Sequence, residues 1–124
     1  MPGDLRRLAH VISKAQRGLT VRVAVVGGSV TNGGACASYA LAQSKKGTFG
    51  PCSWSHRFVA WLQAHHNNPN IKLLNLAMPA TTSAWRLSHF EDVLSLRPDL
   101  LIVDYGANTL NKVHFIKETN YLLV

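Results

Sequence analysis

Ser29 is the side chain whose setting best suits chemistry. It follows Gly27-Gly28 at the end of Val21-Arg22-Val23-Ala24-Val25-Val26, an apolar and largely β-branched run of strand length. Glycines at such a point remove side chains where the backbone must turn sharply or let another group approach closely. A serine just past the carboxyl end of a buried strand lies where open α/β sheets bind their ligands. There it can be a nucleophile, a donor in a phosphate-cradling loop, or an ordinary turn residue. Two other small-residue turns carry polar groups after apolar runs: the 75–83 segment, from Asn75 to Ser83, and Gly106-Ala107-Asn108. Acyl transfer needs a nucleophilic oxygen with donors aimed at the developing oxyanion. Backbone N–H groups in tight turns and the Asn108 amide suit that role, while a cap or turn is the plainer use of a loop asparagine.

The elements that must position these turns follow from periodicity. Asp4 can cap a first helix with apolar Leu5, Leu8, Ala9 and Ile12 at helical spacing, ending near Gly18. Thr20 to Val26 reads as the first strand, followed by a long Gly- and Ser-rich loop from Gly27 to about Ser53. Trp54 to His66 reads as a helix with Phe58, Trp61, Leu62 and His65 on one stripe, broken by Asn67-Asn68-Pro69-Asn70. Ile71 to Ala77 is the second strand, and Met78-Pro79-Ala80-Thr81-Thr82 a turn. Ser83 then caps a helix through about Leu96, ended by Arg97-Pro98-Asp99. Leu100 to Tyr105 is a third strand and Leu110 to Val124 a last helix. Apolar strands separated by helices predict an α/β fold with a parallel sheet covered on both faces. In such a sheet the three strand-end turns converge on one crevice.

Composition narrows the classes. The chain has 124 residues, 47% hydrophobic and 15% charged, and reads as one globular domain spanning 1–124. Thirteen basic against six acidic residues give a net charge of +7. The basic residues crowd the amino end (Arg6, Arg7, Lys14, Arg17, Arg22) or scatter, with no basic helix face interleaved with aromatics. That distribution predicts a solvated basic surface and no nucleic-acid partner. No apolar run approaches the roughly 18 residues of a membrane span, and no signal-peptide core opens the chain. The compartment stays open. Cys36 and Cys52 form neither a CxxC pair nor a metal set; they can close one loop or stand as free thiols, and without a secretion signal free thiols are expected. His10, His56, His65, His66 and His89 fall on helices covering the sheet, and His114 on one leaving the strand ends. Such histidines point away from the crevice, so neither a base for Ser29 nor a metal site is expected from them.

Gly27-Gly28-Ser29-Val30-Thr31, Asn75-Leu76-Ala77-Met78-Pro79-Ala80-Thr81-Thr82-Ser83 and Asp104-Tyr105-Gly106-Ala107-Asn108 together resemble the first three blocks of the SGNH, or GDSL-type, hydrolase superfamily. The resemblance covers roughly Val21 to Asn108. It implies a flavodoxin-like three-layer α/β/α sandwich that hydrolyses acyl or acetyl esters, often on carbohydrates or lipids, without a cofactor. It makes Ser29 the nucleophile and an oxyanion donor through its own N–H, Ala80 the second donor, and the Asn108 side chain the third. Gly27, Gly28 and Gly106 would shape the supporting turns.

Four departures qualify the resemblance. Gly28 stands where an aspartate is usual, Ala80 replaces a glycine, and Thr109 replaces a common aspartate. The donor role of Ala80 then depends on a turn free of positive φ. The family's closing Asp-x-x-His block, which supplies the base and its carboxylate, does not occur in the sequence. The expectation is therefore a domain truncated after its third strand, inactive or nearly so, with an exposed sheet edge open to pairing or completion by another chain. Two alternatives stand beside it: a flavodoxin-like phosphate or flavin binder, and a non-catalytic carbohydrate-binding domain on the same scaffold. Dinucleotide, P-loop and α/β-hydrolase patterns all fail, the first because Ser29 occupies a required glycine position.

Overall fold

A computed structural model describes residues 5–33 and 52–106. In chain order the elements are α1 (Leu5–Gln16), β1 (Val21–Gly27), α2 (Ser29–Asn32), α3 (Trp54–His65), β2 (Ile71–Asn75), α4 (Ser83–Ser88), α5 (Glu91–Ser95) and β3 (Leu100–Asp104). The strands form one parallel sheet in the order β2-β1-β3, which puts β1 in the centre. Every residue of β1 except Arg22 is buried, as its run of valines requires. The strand period of two then divides the core. Val21, Val23 and Val25 pack on one face with Ala15 of α1 and Val59 of α3. Val26 packs on the other face with Val93 of α5 and Tyr105. The expected α/β class, with a parallel sheet covered on both faces, is the class observed.

Local chemistry sets the ends of these elements. Gly18, at φ 70, closes α1: its N–H donates to the Ala15 carbonyl at 3.2 Å and that of Leu19 to Lys14 at 3.0 Å. Asn68, beyond α3, is buried and its amide donates to the Ala15 and Leu19 carbonyls at 3.0 and 2.9 Å. The expected helix breaker thus also ties α3 to the end of α1. Asn75 ends β2 by turning its side chain to accept from the Ala77 N–H at 3.2 Å, two residues earlier than expected.

Two local expectations are corrected, for the helix after Ser83 and the loop after Gly27, and the structure shows which side of α1 is buried. The helix expected from Ser83 to about Leu96 is two helices, and its N-cap is Thr82, whose hydroxyl accepts from the Trp85 N–H. The break has a cause: Ser88 Oγ lies 2.7 Å and His89 Nδ1 2.9 Å from the Trp85 carbonyl. A continuing helix would give that carbonyl to the His89 N–H, which donates instead to Arg86 at 3.1 Å. The loop expected from Gly27 onward begins with a helical turn, α2. The buried side of α1 is Val11 and Ala15, whereas Leu5, Leu8 and Ile12 are exposed.

Candidate active site

The three strand ends meet around Gly27. In the parallel register Gly27 stands opposite Asp104, the last residue of β3. Its carbonyl accepts from the Met78 N–H at 3.0 Å, which brings the turn after β2 to the same point. The chain then passes through buried Gly28, extended at φ −88, into α2, whose first residue is exposed Ser29. The turn closes through Asn32 N–H to the Gly28 carbonyl at 3.0 Å and Gly33 N–H to that of Ser29 at 3.2 Å. Gly33, at φ 97, ends it.

Two side chains tie this turn to its neighbours. Thr31 is fully buried, and its Oγ1 donates to Asp104 Oδ2 at 2.6 Å. Asn32 Nδ2 donates to the Ala77 carbonyl at 2.9 Å, and Asn75 Nδ2 reaches the Asn32 carbonyl at 3.5 Å. Within the second turn, Thr81 Oγ1 donates to the Met78 carbonyl at 2.6 Å. Buried Arg86 of α4 donates through Nη2 to the Leu76 carbonyl at 2.5 Å, holding that helix against the end of β2.

The candidate residues are placed unequally by this geometry. Ser29 is exposed just beyond the end of β1. Ala80 is exposed in the adjoining turn at φ 58. The condition attached to its donor role, a turn free of positive φ, is therefore not met; the alanine itself adopts the glycine-like conformation at a cost of about 1 kcal/mol. Gly106 follows β3 and is exposed, with open space where a Cβ would stand. Asn108 and His114 lie outside the described residues.

The described histidines are engaged elsewhere. His56 Nδ1 lies 2.7 Å from Ser53 Oγ, the N-cap of α3. His65 stacks on Trp61 at 5.0 Å, His66 meets His65 edge-on, and His89 stacks on Trp85 at 4.3 Å. His10 is exposed on α1. Among the described residues no histidine bonds to Ser29, and no group of three His, Cys, Asp or Glu could hold a metal ion. Cys52 is disulfide-bonded, which corrects the expectation of free thiols. The chain's other cysteine, Cys36, lies outside the described residues. No helix among them is long and apolar enough to cross a membrane. A cleft of about 330 Å³ opens at the opposite end of the sheet, where Val21, Ile71 and Leu100 begin the strands. Its lining between α1 and α3 is mainly apolar (Leu8, Phe58, Leu62), and it lies away from the strand ends around Gly27.

Solved structures share this fold. The chain is similar to a two-domain esterase (CEX) active on acetylated mannans, with 26% identity, a TM-score of 0.72, and coverage of 98% of this chain and 30% of that one. A structure of such an esterase co-crystallised with mannopentaose matches at 26% identity and a TM-score of 0.73, over 98% of this chain and 31% of that one. The chain thus spans under a third of the length of these esterases. No protein-family model matches it, and neither does any curated protein sequence. The parallel α/β architecture is that of an esterase-like fold.

Sequence reasoning did not single out Thr31 or Asp104. Both sat inside the quoted motifs, but neither had a role without the register that sets Asp104 opposite Gly27. The available signal was a carboxylate closing an otherwise apolar strand, Leu100-Leu101-Ile102-Val103-Asp104.

Proposed function

We propose that this chain carries the nucleophile-bearing part of an SGNH-type serine esterase acting on acyl or acetyl esters of carbohydrates. The observation that carries this reading is exposed Ser29, directly beyond central strand β1 and flanked by the turns after β2 and β3. The likeness to esterases active on acetylated mannans supports the ester and glycan classes.

In this reading Ser29 Oγ attacks the ester carbonyl, and the resulting oxyanion is held by the Ser29 N–H and the Asn108 amide. Collapse expels the alcohol, which takes up a proton, and water then releases the acid from the acyl-serine. A general base must take the serine proton, and among the described residues no histidine is placed to do so. In this reading the described residues by themselves make a poor catalyst, because lack of the base costs several powers of ten in rate while oxyanion stabilisation persists.

Selective chemistry at Ser29 tests the assignment. A fluorophosphonate should modify Ser29 slowly but in preference to the chain's other serines, with Oγ–P bond formation, loss of fluoride and release of the serine proton to water. Peptide mass spectrometry reads the site, and Ser29→Ala should lose the modification. Unselective labelling would remove Ser29 as the nucleophile, and brisk Ser29-dependent hydrolysis of p-nitrophenyl acetate would refute the weak activity. The outer edge of β3, which pairs only with β1 among the described residues, is the seam this reading assigns to sheet completion. It predicts concentration-dependent self-association in sedimentation; a strictly monomeric chain would count against it.

A further inference from the structure

We infer that Thr31, anchored by Asp104, is the positioning residue for Ser29. The inference rests on Ser29 being the nucleophile and goes beyond it by naming what fixes that nucleophile over the crevice. Three observations converge on it. Thr31 is wholly buried although it sits in a four-residue helical turn, and its hydroxyl donates to the Asp104 carboxylate at 2.6 Å. Asp104 ends β3, so the bond joins the turn after the central strand to its neighbour across 73 residues of sequence. Gly27 completes the arrangement, because a Cβ there would lie 2.3 Å from Thr31 Oγ1 and 2.5 Å from the Asp104 carbonyl oxygen. The three residues form one close-packed contact directly beneath Gly28 and Ser29.

The consequence is positional. A four-residue turn has too few internal hydrogen bonds to hold its own orientation. Thr31 lies two residues after Ser29, and its bond to the end of β3 prevents the turn from rotating about the end of β1. Asn32 holds the other side through the Ala77 carbonyl at 2.9 Å, in the segment leading to Ala80. Ser29 is thus fixed relative to both neighbouring strand ends, as an attack geometry tolerant of well under 1 Å demands. Thr31 does not touch substrate in this account; it acts through the backbone that carries Ser29.

The test compares Thr31→Val, which keeps shape and removes the donor, with Thr31→Ser, which keeps the donor. Amide hydrogen exchange is followed at Asn32 and Gly33, whose N–H groups close the turn, and at Val25 and Ile102 in the sheet as controls. Thr31→Val should accelerate exchange at Asn32 and Gly33 by about tenfold, the effect of losing one charge-assisted hydrogen bond, and leave Val25 and Ile102 unchanged. Fluorophosphonate labelling of Ser29 should slow in the same variant through its maximal rate, not through the concentration giving half that rate. Thr31→Ser should restore both readouts. A uniform rise in exchange across turn and sheet, or unchanged labelling in Thr31→Val, would overturn the inference, since either makes Thr31 merely structural. Absent Ser29 labelling in the unsubstituted chain, with the turn still governed by Thr31, would overturn the nucleophile reading and leave the clamp standing.

Discussion

Gly27 and Thr31 occupy one space: a Cβ on Gly27 would lie 2.3 Å from Thr31 Oγ1. The flexible end of a side chain could yield, but the Asp104 carbonyl, 2.5 Å from the same point, belongs to the sheet backbone and cannot. Gly27→Ala should therefore either push Thr31 off Asp104 or separate β1 from β3 at its end. A destabilisation of about 3 kcal/mol is expected, at the upper end of overpacking costs. Urea unfolding measures it through the midpoint at unchanged slope, and a loss under 0.5 kcal/mol would mean that the strand ends are more pliable than this packing implies.

Ala80 presents the converse case. It holds φ 58 without being glycine, and its exposed side chain buries little to compensate. Ala80→Gly should relieve the left-handed strain of about 1 kcal/mol, offset in part by the greater freedom of glycine in the unfolded chain, for a net gain of about 0.5 kcal/mol at most. Ala80→Val should destabilise clearly, because a β-branched residue tolerates positive φ poorly. Thermal unfolding of the two variants checks the order, and a lower melting temperature for Ala80→Gly would show that the turn is not strained.

These two positions mark how far the sequence was legible. The apolar runs at 21–26, 71–75 and 100–104 encode the sheet directly, since a strand buried on both faces needs little besides β-branched and aliphatic residues. The convergence of the strand-end turns follows from parallel pairing, so the neighbourhood of Ser29 could be anticipated. Thr31 to Asp104 could not, because it depends on which residue of β3 stands opposite Gly27. The spacing of Leu5, Leu8 and Ile12 locates α1 but not its buried side, which is Val11 and Ala15. The break between α4 and α5 comes from side chains of Ser88 and His89 competing for one carbonyl, which periodicity does not register.

Asp99 gives the fold a defined acid response. Burial pushes its carboxyl up, but the hydrogen bond from Lys14, the Arg22 N–H at 2.8 Å and the charges of Lys14 and Arg22 together hold it below its ordinary value. A carboxylate lowered in the folded state contributes stability that is fully present above its unfolded pKa, about 3.9, and is lost as pH falls through the folded value. The pair is partly open to solvent, so the contribution should stay under about 1 kcal/mol. Asp99→Asn should flatten the acid limb of a stability–pH curve below about pH 4 and lower stability at pH 7. An acid limb identical in both proteins would assign it to other carboxylates.

The disulfide at Cys52 lies immediately before Ser53, the N-cap of α3, so its loss should be felt at a helix that supplies Val59, Phe58 and Leu62 to the core. Cys36 is the only other cysteine in the sequence, and pairing of Cys52 with it would close a loop for which chain entropy predicts stabilisation of about 3 kcal/mol. Dithiothreitol should therefore lower the melting temperature, and Cys52→Ser and Cys36→Ser should each reproduce the reduced protein and show no further response to reductant. Thiol titration under denaturing conditions should find none before reduction and two after. Ser29 labelling should survive reduction, because Thr31, Asn32 and the ends of β2 and β3 hold its turn without Cys52. Labelling that vanished on reduction would show that the strand ends alone do not hold the Ser29 turn.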